Sequence, residues 1–153
     1  MSSAGKQLSN PYSTGGGGVN FETRVQALFA VLMLTGGFAP CLPSWPIKKI
    51  KLQGKYAGYE TDDFIAFVSD WNTEKEVKLL AQIKHSISIT EGDTIFGEVI
   101  HAAWRDFCNP SLFTQGKDVI ALITGPLSAT DIDSARRILE LARDSEDSSD
   151  FTT

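Results

Sequence analysis

The chain has 153 residues, 42% of them hydrophobic, and a formal net charge of −5. That length fits one domain with a real core, and the longest apolar run, residues 27–34, is too short to cross a bilayer. The polar first residues argue against a secretory signal, and two distant cysteines, Cys41 and Cys108, without CxxC or His-rich neighbours, argue against a zinc site and read as structural thiols of a reducing, cytoplasmic setting.

An acidic balance disfavours a nucleic-acid binder until its distribution is read. Residues 1–58 carry six basic and one acidic residue, 59–125 five basic and eleven acidic, and 126–153 three basic and seven acidic. Basic charge is concentrated in the first third, where a phosphate backbone could meet it.

Residues 1–18, rich in Ser, Gly, Asn and Pro, read as a flexible lead. Their glycine run is no phosphate loop, because no Gly-Lys-Ser/Thr follows and no strand precedes it. Residues 19–34 form the first expected helix, with Asn20 as N-cap and Gly36-Gly37 as the stop. Val25, Leu28, Phe29 and Leu32 repeat at helical spacing, and the second half is apolar nearly all round, which predicts packing on more than one side. Glu22 and Gln26 share the polar face. A first-turn glutamate ordinarily serves the helix macrodipole.

Pro40, Pro43 and Pro46 make 35–46 an extended surface loop. Residues 47–55 alternate, with Lys49, Lys51, Gln53 and Lys55 on one face and Ile50 and Leu52 on the other. This is a strand with one basic face, either a solvated edge or a DNA contact. Residues 63–68 are apolar on both faces and belong near the sheet centre. Asp70, Asn72 and Thr73 build a turn over 69–75, and so short a connection makes the strand at 76–84 antiparallel to the one before it.

Residues 93–107 form a second helix, capped by Asp93, with a buried stripe of Ile95, Phe96, Val99, Ile100, Ala103 and Phe107 and with Glu98, His101 and Arg105 outward. Residues 119–124 (VIALIT) read as a fully apolar, central strand. Thr130 caps a last helix through Ile132, Ala135, Ile138, Leu139 and Ala142. Residues 144–153 are acidic and Ser-rich, a disordered tail or linker.

Side chains two apart on a strand share a face. Gln82 and Lys84 therefore point one way while Ile83 points into a core. An acid at the start of the neighbouring strand joins them, bringing together a carboxylate, an amide oxygen and an ammonium. Parity leaves the acid open: Asp63 goes with Ile65, Asp62 with Phe64. His85 and Ser86 follow and read as supporting residues.

The acidic pair, Gln82-Ile83-Lys84 and the helix start Asn20-Phe21-Glu22 together resemble the PD-(D/E)xK (restriction-endonuclease-like) nuclease superfamily, in the QxK form found among Mrr-like nucleases and antiphage effector nucleases. The resemblance implies an α/β fold with an αβββαβ core over residues 19–143, a mixed central sheet flanked by helices. It implies a metal-dependent DNA endonuclease using Mg²⁺ or Mn²⁺. Glu22, Asp63 and Gln82 would be metal ligands, Asp63 being favoured over Asp62 because the family's acid abuts the apolar strand, and Lys84 would complete the catalytic set. Double-stranded DNA would be the substrate, with no membrane partner and a homo-oligomer as the active form. The look-alikes are N-terminal effector domains of STAND-type NTPases in antiviral defence, and such an NTPase would lie beyond Thr153. Gln82, neutral where an acid is usual, leaves a second expectation, a nuclease fold that binds nucleic acid without cutting it. The acidic balance leaves a third, a protein-interaction module.

Overall fold

The structure is a computed structural model that describes residues 16–145; the expected lead before Gly16 and tail after Ser145 lie outside them. The elements run α1 (Gly16–Thr35), β1 (Ile47–Leu52), a short 3-10 turn (Gly54–Ala57), β2 (Phe64–Ser69), β3 (Glu76–Lys84), α2 (Thr94–Phe107), β4 (Val119–Thr124) and α3 (Ala129–Asp144). This is an α/β fold with one four-stranded mixed sheet in the order β1-β2-β3-β4. The first two pairings are antiparallel and β3–β4 is parallel.

The β2–β3 hairpin is the spine. Asp70 closes its turn by accepting from the Asn72 amide at 3.0 Å and the Thr73 hydroxyl at 2.5 Å. Register places Phe64 opposite Ala81, Ala66 opposite Leu79 and Val68 opposite Val77. These residues, with Ile83 and Phe29 of α1, form the main core on one sheet face. Ile65, Phe67 and Leu80 face the other way and pack with Tyr59 and Phe113. Burying each large apolar side chain contributes about 1.5–3 kcal/mol, so this two-faced hairpin is strongly held.

Several expectations need correction. α1 begins at Gly16, which puts Asn20 inside the helix rather than at its cap. Its second apolar side is bare, with Leu28, Val31 and Leu34 more than half exposed. β1 stops at Leu52, because Gln53 turns left-handed (φ 56°) and sends Lys55 into the 3-10 turn. The stripe of α2 narrows to buried Val99 with Phe96 and Ala103 half-buried, while Ile95, Ile100 and Phe107 are exposed. Ser128, not Thr130, caps α3. β4 is an edge strand, not a central one, and none of its six residues is fully buried. Gly125, just after it, approaches the strand-end backbone so closely that a Cβ would collide with the His85 carbonyl. Both cysteines are free and exposed. Among the described residues no helix is long and apolar enough to cross a membrane.

Candidate active site

Extending the β2–β3 register by one step sets Asp63 opposite Gln82, on the face of Ile65, Phe67 and Leu80. The parity left open by the sequence therefore falls to Asp63. Its Oδ2 accepts from Gln82 Nε2 at 2.9 Å and from the Ile83 amide, and Lys84 Nζ stands 3.9 Å away. Burial, the largest influence, raises the Asp63 pKa above the ordinary carboxylate value. The Ile83 N–H and the Lys84 ammonium pull it down, and Asp62 pushes it up. The Asp63 side chain is 15% exposed and that of Lys84 30%, so their attraction acts in a medium of reduced dielectric.

Asp62 is committed elsewhere. Its Oδ1 accepts the Lys55 amide at 2.8 Å, and its own N–H donates to Gln82 Oε1 at 3.2 Å. Its carbonyl takes the Gly54 amide at 2.6 Å. Gly54 is needed there, since a Cβ would run into the Thr61 carbonyl. Gln82 is thus a two-ended strut, its amide N–H donating to Asp63 and its amide oxygen accepting the Asp62 N–H.

Glu22 is joined to the site indirectly. Its Oε1 accepts from Gln26 Nε2 at 2.8 Å, and the same nitrogen reaches the Asp63 carbonyl at 3.4 Å. Gln26 thus gives α1 a polar contact with the strand entry, beside the packing of Phe29 on Phe64. His85 lies edge-on to Phe21, ring centroids 5.3 Å apart, and its Nδ1 is 3.0 Å from Ser86 Oγ.

A cleft of about 280 Å³ opens above these groups, lined by Lys55, Asp62, Gln82 and Lys84 from the sheet side and by Glu98 and Val99 of α2. Asp63 is reached through Gln82 and Lys84 rather than standing on the wall. A larger hollow of about 440 Å³, between Phe107 and Gln115, has no paired titratable groups in its lining.

β1 brings its lysines to the same face. Ile47 is buried in the main core, yet Lys49 pairs with Phe67 and Lys51 with Ile65. A register shift between Ile47 and Lys49 makes this possible; an extra residue in one strand re-aims the side chains that follow it. Lys49 Nζ sits 4.0 Å from the Phe67 ring centroid. Lys49, Lys51 and the cleft-lining Lys55 thus lead along one face toward Lys84.

The sequence reading missed the buried acids Asp106, Asp118 and Asp131. Asp106, in the last turn of α2, is 1% exposed and accepts from the Glu60 amide at 2.9 Å and the Thr61 amide at 2.7 Å. Its signal was present: an acid at a helix C-terminus opposes the macrodipole, so it has a partner or a cost. Thr61 carries the converse defect, a buried hydroxyl without a hydrogen-bond partner among the described residues.

Among the described residues no three His, Cys, Asp or Glu side chains converge into a metal cage. Mg²⁺ does not need one, since it binds one or two carboxylates and keeps waters or substrate phosphates as its other ligands. The bonds to Asp63 fall on Oδ2, so Oδ1 could serve a cation, and the Ile83 carbonyl or a reversed Gln82 amide could add neutral oxygen. The donor set fits such an ion in this minimal form. Comparison with family models, curated proteins and solved structures finds no match for this chain.

Proposed function

We propose that this chain is a metal-dependent DNA endonuclease of the PD-(D/E)xK type, the effector domain of an antiviral defence protein. The observation that carries the reading is the convergence of Asp63, Gln82 and Lys84 on one sheet face, with a lysine track leading to them. The order of elements agrees with the αβββαβ core that the resemblance implies.

Asp63 and Gln82 would hold Mg²⁺ or Mn²⁺, and Glu22, one oxygen of which takes the Gln26 amide, would be a further ligand through its other oxygen. The ion supplies Lewis acidity toward phosphate and a more acidic water. Lys84 orients the attacking water and stabilises the charge that develops on the phosphate. Lys49, Lys51 and Lys55 neutralise backbone phosphates, so binding weakens steeply with salt. Burial disfavours a bare Asp63 carboxylate, and this penalty is offset once a cation shares its charge.

One observation favours the second reading, a nucleic-acid-binding module without catalysis: Gln82 donates its amide N–H to Asp63 where the family usually has an acid. Incubation with supercoiled plasmid separates the two. The nuclease nicks plasmid with Mg²⁺ or Mn²⁺ and not with chelator, and Lys84→Ala loses at least about 100-fold in rate while keeping its melting temperature. Salt-sensitive binding without nicking at any metal concentration sustains the second reading instead.

A further inference from the structure

We propose that Asp106 is a positioning residue that fixes Asp63 by clamping the chain just ahead of it, an inference that rests on Asp63 belonging to the active site proposed above. The clamp spans two distant parts of the sequence: a carboxylate on α2 receives two consecutive backbone amides, those of Glu60 and Thr61. Residues 60–63 are then tied one after another. Glu60 and Thr61 hang from Asp106, Asp62 N–H from Gln82 Oε1, and the Asp63 carboxylate from Gln82 and Ile83. With two successive peptide planes fixed by one rigid carboxylate, Asp63 has little freedom to leave the face of Gln82 and Lys84.

Local structure does not account for this acid. A carboxylate in the last turn of a helix faces the negative end of the macrodipole, and full burial adds a desolvation cost. Two charge-assisted bonds to amides offset that cost. A serine or an amide offers a single neutral acceptor oxygen; the carboxylate gives each N–H a charged oxygen of its own. The same helix lines the cleft with Glu98 and Val99, so the clamp also sets the spacing between the cleft's two walls. Groups that hold a metal-binding side chain in place through its neighbours weaken metal affinity about 10–100-fold when removed.

A structural role alone must be told apart from positioning, and the molecule contains the control. Asp118 is a second buried carboxylate clamp, accepting from the Lys78 amide at 3.0 Å and the Thr114 amide at 2.7 Å. It secures the opposite end of β3, away from Asp63. Asp106→Asn and Asp118→Asn each weaken one buried clamp. Hydrogen exchange at the Ile83 amide, which donates to Asp63, reports on Asp63 without any metal. Asp106→Asn should speed that exchange at least about tenfold beyond the change in global stability, and Asp118→Asn should not. Mn²⁺ affinity should fall about tenfold or more in Asp106→Asn and stay unchanged in Asp118→Asn. If Asp106→Asn does not fold, Asp106→Glu, which keeps the charge and shifts it by one methylene, serves in its place with the same expected direction. Equal exchange at Ile83 in the two variants, or no change in either, overturns the proposal. If the parent protein binds no Mn²⁺, the nuclease reading falls, and the exchange comparison still decides whether Asp106 positions Asp63.

Discussion

Asp63 is a carboxylate under opposing demands. Its carboxylate is largely buried, which raises its pKa, and a single lysine at 3.9 Å compensates only in part. The folded protein therefore holds this proton more tightly than the unfolded chain does. Its contribution to stability is present below the ordinary carboxylate pKa and is lost as pH rises through the raised folded value. Asp63→Asn, which keeps an oxygen for the Ile83 amide, should thus unfold at a higher temperature than the parent at neutral pH. The gap should close as pH falls below the ordinary carboxylate range. Thermal unfolding across pH checks this, and a variant less stable than the parent at pH 7 would mean that Asp63 is stabilised there as an anion. At this scale the sequence was half legible. The spacing of Gln82 and Lys84 announced a shared face, but the choice between Asp62 and Asp63 depended on register, which no run of residues shows by itself. Asp106 was missed because an acid on an amphipathic helix reads as solvent-facing unless its position in the last turn is weighed.

Among the elements, β3 and β4 have the ends that their patterns predict, and α2 starts at the Asp93 cap. Period and capping chemistry are local, so they can be read directly. Position within the sheet is not local: VIALIT has the composition of an interior strand and lies at an edge. The start of α3 shows the same limit, since the sequence reading places the cap at Thr130, two residues too late. The structure uses Ser128, whose Oγ accepts the Asp131 amide at 3.1 Å while Asp131 Oδ1 takes the Ile89 amide at 2.7 Å. The Ser128 hydroxyl and the Ile89 N–H hold the Asp131 carboxyl below the usual range. Ser128→Ala should cost about 1 kcal/mol at neutral pH, and Thr130→Ala only a fraction of that. Because the folded Asp131 pKa is depressed, its stabilisation is present above the ordinary pKa and lost as pH falls through the folded value. The Ser128→Ala deficit should therefore shrink in acid. Urea unfolding of both variants at pH 7 and in acid tests the assignment, and a larger loss in Thr130→Ala would contradict it.

For the whole molecule, the proposed activity rests on a small basic surface set in an acidic chain. Lys49, Lys51 and Lys55 share the site's face, whereas Lys48 is turned to the Trp71 ring, 3.2 Å from its centroid. So few phosphate contacts give a single copy modest, salt-sensitive affinity, and one site cuts one strand. Bringing copies together raises the effective concentration without any new contact. Fusion to an inducible oligomerisation module should convert slow nicking of plasmid into linearisation. A dilute monomer that linearises plasmid as fast as the clustered form would show that assembly is not needed.

The proposed activity depends on the Asp63 carboxylate being the place where a divalent ion is held. Titration of Mn²⁺ into the protein, followed through paramagnetic broadening of backbone amide signals, tests that most directly. The account predicts that the signals of Asp63, Ile83 and Lys84 broaden first, that Asp63→Asn abolishes this selectivity, and that Asp62→Asn, which retains an oxygen for the Lys55 amide, preserves it. Broadening that begins elsewhere, or that survives in Asp63→Asn and disappears in Asp62→Asn, would contradict it.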